Sequence, residues 1–208
     1  MNAPAAVHLQ APVQRPAPCA GSDVETTRAA AVVCRCTLIC LCAYPGVAPA
    51  AEWTLSGIVG NGNHVDLAGA EIQIPSGFGG ALTDEWSWSL SWAGDVAYWR
   101  ARNHVASNPS LWEVGLSPVI GLRRPAGSNL SYYIEAAIGI HLLSHTRIDE
   151  RELSTAFQFG ELVGTGANFG DHGQYGIGVR IQHISNGSIK EPNSGITFGE
   201  VRISYRWD

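Results

Sequence analysis

The sequence EWSWSLSW occupies Glu85 to Trp92, and its uninterrupted alternation of apolar and polar residues decides the fold class. Tryptophan or leucine stands at every second position, and serine or glutamate stands between them. Successive side chains of a β-strand point to opposite faces, so this period of two predicts a strand with one aromatic face and one polar face. The same residues on a helix would not form a single apolar stripe.

The same alternation continues through most of the chain from Glu52 onwards. It predicts about eight strands of roughly ten residues joined by polar turns. We predict connections at Gly60–Asn63, at the glycine-rich stretch Pro75–Gly80 and at the charged stretch Arg147–Glu152. Besides Glu85–Trp92, the alternating segments are Trp53–Val59, Val65–Ile74, Leu111–Val119, Ser131–Leu143, Ser154–Asn168, Tyr175–Ile181 and Val201–Trp207.

The first fifty residues predict an export signal. An apolar run from Ala29 to Val47 is flanked or interrupted by Arg28 and Arg35 and ends in Ala48-Pro49-Ala50, a small-residue cleavage pattern. We expect cleavage after Ala50, with residues 1–50 removed and residues 51–208 forming one folded domain. Three alternatives stay open: translation starting nearer Val33, a lipoprotein anchor at Cys40, and a transmembrane anchor, which Arg35 disfavours.

Charge and cysteine content exclude several functions. The 208 residues carry 13 Lys and Arg against 18 Asp and Glu, a net charge of -5, and no basic stretch suggests a nucleic-acid partner. All five cysteines lie between Cys19 and Cys42, so the predicted domain has neither a disulfide framework nor a cysteine-ligated metal. We expect no cofactor and no metal. The remaining polar candidates His64, Asp66, His145, Asp149 and His172 lack metal-like spacing.

A soluble β-sandwich and a transmembrane barrel both produce alternating strands. The export signal, tryptophans recurring near strand ends, and the aromatic Trp207 near the C-terminus favour the barrel. Small or charged residues on the second face suit a narrow interior with internal ion pairs. There we place His141 and Glu135, as hydrogen-bonding groups. We therefore predict an all-β fold, an eight-stranded antiparallel transmembrane β-barrel of the outer membrane.

A candidate catalytic pair lies in Gln182–Thr197, which reads QHISNGSIKEPNSGIT. His183 and Ser185 continue the parity of the apolar set that ends at Ile181, so both face the lipid rather than the lumen. A histidine beside a serine hydroxyl can generate a nucleophile. The alternative is that the strand has left the bilayer and that these are rim residues, because the spacing of histidine and serine alone is a weak motif.

The longer pattern resembles the active-site region of the outer-membrane lipid A 3-O-deacylases of the PagL type. The resemblance covers most of residues 51–208 and is strongest in the last third. The matching residues are His183-Ile184-Ser185-Asn186, Lys190, Pro192-Asn193, Gly195-Ile196, Glu135-Ala136-Ala137-Ile138-Gly139-Ile140, Ser144-His145-Thr146-Arg147, Phe159, Gly164-Thr165-Gly166 and Phe169.

The resemblance implies a hydrolase site on the outer surface of the barrel, with lipid A of lipopolysaccharide as the substrate. The scissile bond would be the ester of the 3-hydroxyacyl chain at position 3. Ser185 would be the nucleophile and His183 the general base. The other positions implied are Asn193 in the oxyanion hole, a backbone N–H near Ser188 as its partner, and Asn186 and Phe159 around the site.

One position departs from the family pattern. The acid that orients the histidine follows Gly-Ile in the family, and Thr197 stands there in this sequence. Glu200 has the opposite parity and reaches the outer face only through a bulge, while Glu191 lies in the preceding loop. We therefore expect a Ser-His dyad in which the Thr197 hydroxyl or water replaces the carboxylate.

The sequence also permits two other functions. A non-catalytic barrel with a structural or binding role is the first, because the family acid is missing. An acyltransferase that passes the chain to another acceptor is the second. The sequence also leaves open homodimer formation and the preferred acyl length.

Overall fold

The computed structural model describes residues 52–103 and 108–207, and the predicted signal region 1–50 lies outside them. Eight long antiparallel strands form one closed barrel in the order β1-β10-β9-β8-β5-β4-β3-β2. Two short strands, β6 and β7, form a separate hairpin. The strands are β1 Trp53–Gly62, β2 Val65–Ala81, β3 Ser87–Ala101, β4 Ser110–Pro125, β5 Leu130–Leu143, β6 Arg147–Ile148, β7 Arg151–Glu152, β8 Phe157–Phe169, β9 Tyr175–Ser185 and β10 Ile196–Trp207.

The barrel closes between β1 and β10, where continuous pairing runs from Trp53 opposite Trp207 to Asn61 opposite Gly199. Closure removes the unpaired sheet edges that a sandwich keeps. The predicted eight-stranded antiparallel barrel is confirmed and the sandwich alternative is excluded. The described residues contain no helix long and apolar enough to cross a membrane.

Alternation along each strand sends the apolar side chains outwards. Val114 on β4, Ile138 on β5 and Val179 on β9 are each 56–60% exposed. Such a surface is stable only in contact with hydrocarbon, as in outer-membrane barrels. An aromatic cluster of Trp53, Trp207, Tyr205, Tyr175 and Phe169 lies on this face at one end of the strands.

The inward face is polar and its charges are paired. Arg180 binds Glu71 at 2.6 Å and Glu200 at 2.5 Å, and Arg202 binds Glu71 at 3.1 Å and Glu135 at 3.2 Å. Buried charges are tolerated only when paired in this way. The predicted interior of small and charged residues is therefore present.

One predicted connection is wrong, and another contains additional structure. Pro75–Gly80 was expected to be a loop, but β2 continues through it to Ala81 with a register shift between Pro75 and Gly79. Proline is tolerated at such a bulge, and Gly77 adopts a positive φ of 84° there. Arg147–Glu152 connects β5 to β8 as predicted, and the short strands β6 and β7 pair within it.

The two ends of the barrel differ in loop length. The connections 63–64, 102–109, 144–156 and 186–195 leave one end, and the connections 82–86, 126–129 and 170–174 leave the other. The three longest connections therefore share the first end. Outer-membrane barrels place their longer loops outside the cell and their short turns in the periplasm. The 186–195 connection therefore belongs to the extracellular end.

Candidate active site

The candidate groups lie on three neighbouring strands at the extracellular end. β9 runs between β8 and β10, and His183 on β9 lies directly between Glu161 on β8 and Thr197 on β10. Ser185 lies two residues further along β9, on the same face, and is opposite Phe159. All five side chains have the outward parity of their strands, so they face the membrane boundary rather than the lumen.

His183 is held by the residue in the acid position. Its Nδ1 lies 2.8 Å from the Thr197 Oγ1, a good hydrogen-bond distance for a cross-strand pair. Gly195, with φ of 51°, packs against the ring, and a Cβ there would lie 3.0 Å from Cε1 and 3.3 Å from Nε2. The hydroxyl therefore fixes one ring nitrogen and the glycine leaves room beside the other.

Ser185 and His183 share the outward face of β9 without a hydrogen bond between them, and Ser185 Oγ bonds to none of the described residues. Within the described part of the chain, the hydroxyl is thus unengaged. Catalytic hydrogen bonds are often long before substrate binds, so this geometry is compatible with a nucleophile and its base.

The loop after Ser185 is fixed from below by Asn186. This side chain is fully buried, and its Nδ2 donates to the carbonyls of Leu153 at 3.0 Å and Lys190 at 2.7 Å. Ser154 Oγ donates to the carbonyl of Pro192 at 2.6 Å. Asn186 therefore supports the loop from behind and does not face the bilayer.

The loop also offers hydrogen-bond donors beside Ser185. Asn193 Oδ1 accepts from the backbone N–H of Asn186 at 3.2 Å, which leaves the Asn193 Nδ2 group for another acceptor. Gly187 and Ser188 have φ of 61° and 62°, a left-handed turn that redirects the backbone N–H groups. No hydrogen bond of the described residues uses the Ser188 N–H. Gly187 packs against the Phe159 ring, where a Cβ would come within 3.2 Å.

The two acids considered as substitutes for Thr197 are both engaged elsewhere. The β9–β10 register is continuous, so no bulge brings Glu200 outwards; it is luminal and pairs with Arg180 at 2.5 Å. Glu191 Oε2 accepts from the backbone N–H of Asn193 at 2.9 Å within the loop. Neither carboxylate contacts His183.

Sequence reasoning missed Glu161. Its neighbours Phe159 and Val163 on the outward face of β8 are apolar, and an acid in such a set is a visible signal. What the sequence could not provide is the β8–β9 register, which puts Glu161 directly opposite His183.

An apolar furrow begins two residues before His183 on β9, at Ile181. It is an open depression of about 680 Å³ on the outer surface, and a Cβ at Gly199 would point into open space there. Val163 and Ile181 form one cross-strand row with Gly199, and Thr165, Val179 and Val201 form the next. The furrow and the polar row are therefore contiguous on one surface.

A second group of titratable side chains lies inside the barrel. Asp95, Glu113 and His141 offer ligand atoms within 4.8 Å of one another, the one such group among the described residues. His141 Nδ1 lies 2.5 Å from Glu113 Oε1, and Trp99 Nε1 donates to Glu113 Oε2 at 2.7 Å. A metal ion would have to displace the contact between His141 and Glu113, so hydrogen bonding accounts for the arrangement.

Fold and site together define a class: small outer-membrane barrels that present a serine and a histidine to the lipid. The family model for lipid A 3-O-deacylase (PagL) matches residues 67–206. The lipid A deacylase PagL of Pseudomonas aeruginosa is 33% identical over 124 residues, which cover 53% of this chain and 68% of that protein. Its namesake from Bordetella bronchiseptica is 32% identical over 112 residues, covering 54% of this chain and 59% of that protein.

The fold agrees with a solved relative. The crystal structure of the outer membrane enzyme PagL superposes with a TM-score of 0.66 at 23% identity, covering 73% of this chain and 98% of that chain. This chain belongs to the lipid A 3-O-deacylase (PagL) family. It is an ester-cleaving hydrolase of the outer membrane, as the resemblance predicted, and the non-catalytic alternative is disfavoured.

Proposed function

We propose that this chain removes the 3-O-linked 3-hydroxyacyl chain of lipid A with Ser185 as nucleophile and His183 as general base. The observation that carries the proposal is the 2.8 Å contact between His183 Nδ1 and Thr197 Oγ1 on the outward face, one step from Ser185. It fixes one ring nitrogen of the histidine and leaves Nε2 for the serine.

Acylation would begin with attack of Ser185 Oγ on the ester carbonyl carbon while His183 Nε2 takes the hydroxyl proton. The tetrahedral oxyanion would be stabilised by Asn193 Nδ2 and the Ser188 N–H, where a single donor is typically worth roughly 3 kcal/mol. On collapse, His183 returns the proton to the departing sugar oxygen. Water then attacks the acyl-serine by the same route and releases the 3-hydroxy fatty acid.

Thr197 would take over part of the task of an acid. The hydroxyl can accept a hydrogen bond from Nδ1–H, which leaves Nε2 unprotonated and able to act as a base. It carries no charge, however, and so stabilises the imidazolium less than a carboxylate does. We therefore expect turnover below that of a triad with an acid in this position.

The outward location suits a lipid substrate. Lipid A would reach Ser185 by lateral movement along the membrane, and the furrow beyond His183 offers an apolar surface for acyl chains. The site is at the end with the longer loops, which is the extracellular side where lipopolysaccharide is displayed. Depth in the furrow would set the preferred acyl length.

The test is mass spectrometry of lipid A after incubation of the purified, folded full-length chain with lipopolysaccharide. The wild type should release a 3-hydroxy fatty acid, and Ser185→Ala and His183→Ala should not. Ser128→Ala, in the short turn between β4 and β5, is the matched control and should remain active. Fatty-acid release by Ser185→Ala at the wild-type rate would refute the proposal, and a second acylated lipid in place of free acid would indicate acyl transfer.

A further inference from the structure

Glu161 is a carboxylate on a surface that should be apolar. It is exposed on the outward face of β8, between Phe159 and Val163, and it makes no hydrogen bond or ion pair with any described residue. Ionisable side chains on the lipid face of a barrel are destabilising to an extent that grows with depth, so they call for a functional explanation.

The neighbours of Glu161 provide one. It lies directly opposite His183 on β9 and opposite Ile138 on β5. Directly opposite residues on one face of an antiparallel pair have Cβ atoms about 5 Å apart, and a glutamate side chain spans that distance readily. Glu161, His183 and Thr197 form a single polar row across three strands, with Ser185 in the adjacent row.

The orientation of the His183 ring and the compensation of its charge are two separate tasks in this row. The Thr197 hydroxyl holds the ring through Nδ1 but is neutral. When His183 takes the serine proton, a positive charge develops at a boundary of low dielectric constant, where a nearby anion is worth more than in water. A nearby cation makes such an anion more important, because it would repel protonated His183. This cation is Arg151, whose Nη1 donates at 2.9 Å to the carbonyl of Gly195, the residue packed on the ring.

We propose that Glu161 supplies the negative charge that stabilises protonated His183, while Thr197 orients the ring. Two neighbouring strands would thus share the task that one acid at position 197 performs in the family pattern. Glu161 is a positioning residue, which acts through His183: the proton moves from Ser185 Oγ to His183 Nε2 and on to the leaving oxygen without passing through the Glu161 carboxylate. This inference rests on the proposed function of Ser185 and His183.

The first test is steady-state kinetics of Glu161→Gln, which keeps the shape and removes the charge. We expect kcat to fall about tenfold with KM changed less than about twofold, because the charge acts only after proton transfer. Glu161→Asp should retain most of the activity. The control Asp84→Asn, which removes an exposed charge from the β2–β3 connection at the opposite end, should match the wild type.

The second test restores the family acid. In a Thr197→Glu background the charge beside His183 is supplied from β10, so adding Glu161→Gln should reduce kcat by less than about threefold. A purely structural role of Glu161 would give the same loss in both backgrounds. Folding of each variant is checked by the heat-dependent electrophoretic mobility of the barrel, and if Glu161→Gln does not fold, Glu161→Asp and Glu161→Ser in both backgrounds replace it.

Three results would overturn the inference. Glu161→Gln could keep the wild-type kcat, it could raise KM alone, or it could lower kcat equally with and without Thr197→Glu. A rise in KM alone would mean that Glu161 contacts lipid A rather than acting through His183. An inactive Ser185→Ala alongside a fully active Glu161→Gln would reject this inference and leave the proposed function intact. An active Ser185→Ala would instead reject the proposed function itself.

Discussion

The barrel contains two histidines with contrasting environments, His141 inside and His183 outside. His141 is 1% exposed and lies 2.5 Å from the Glu113 carboxylate, which Trp99 also holds. His183 is half-buried on the outer face, and a threonine hydroxyl holds it. By its immediate partners, the interior histidine looks more like part of a catalytic triad than the exterior one.

The accessibility of the two rings favours His183 as the catalytic histidine instead. The His141 ring fills the space between strands so closely that a Cβ at Gly160 would lie 2.1 Å from its Nε2, and one at Gly115 would lie 2.5 Å from its Nδ1. With 1% of its surface exposed, the ring presents no open side to a substrate. His183 instead has a serine on the same face, an apolar furrow alongside and loop N–H groups nearby. We therefore assign His141 to the structure of the barrel core and keep the proposed catalytic role for His183.

Replacing each histidine by alanine should separate these roles. His183→Ala should lower kcat by about 10²–10⁴-fold, the usual contribution of a general base, and leave barrel stability nearly unchanged. The measurement is fatty-acid release together with urea unfolding in lipid vesicles. Equal losses of stability and activity in this variant would contradict the distinction between the two sites.

His141→Ala should do the opposite. Removing His141 leaves the buried Glu113 carboxylate with Trp99 alone, and breaking such a buried pair is expected to cost about 3–5 kcal/mol of unfolding free energy. The folded fraction should keep kcat within about threefold of the wild type. The comparison fails if the folded variant loses its catalytic activity.

Substitutions at Thr197 measure how much its hydroxyl contributes to the activity of His183. Thr197→Val removes the hydroxyl at nearly constant shape and should lower kcat about tenfold, as expected for one orienting hydrogen bond. Thr197→Ser keeps the hydroxyl and should retain activity. Thr197→Glu should raise kcat modestly, and an unchanged or lower value would count against the Thr197 hydroxyl standing in for an acid.

The furrow should produce the smallest effect. Gly199→Leu adds a side chain to open space, so the barrel should fold normally while long acyl chains lose contact area. KM should rise a few-fold, which corresponds to about 1 kcal/mol. Gly57→Leu is the control, since Gly57 faces outwards on β1 and lies outside the furrow lining. The effect is measured as KM for a set of lipopolysaccharides with different acyl lengths. Equal changes in KM for the two variants would mean that the furrow does not bind the acyl chains.

Strand parity predicted much of this arrangement. Alternation is a local property, so it predicted the strands, the outward direction of His183 and Ser185, and the matching parity of Thr197. The choice of a barrel over a sandwich also needed the predicted export signal and the tryptophans near strand ends. Glu200 was correctly assigned to the interior by the same rule, and it pairs there with Arg180.

Contacts between strands were beyond the reach of the sequence. Glu113 and His141 come together because Gly115 pairs with His141 across β4 and β5, a register that the sequence does not specify. Glu161 has a readable parity, but its place beside His183 depends on the β8–β9 register. The bulge in β2 was hidden because proline and glycine favour a loop in most local contexts.

The most direct test of the central claim is covalent labelling with a lipophilic fluorophosphonate, which reacts with activated serines. Peptide mass spectrometry of the labelled, folded full-length chain should locate the adduct at Ser185 in the wild type. The label should be lost in His183→Ala and kept in the folded fraction of His141→Ala. An adduct at another residue, or equal labelling of Ser185 without His183, would contradict an outward serine–histidine site.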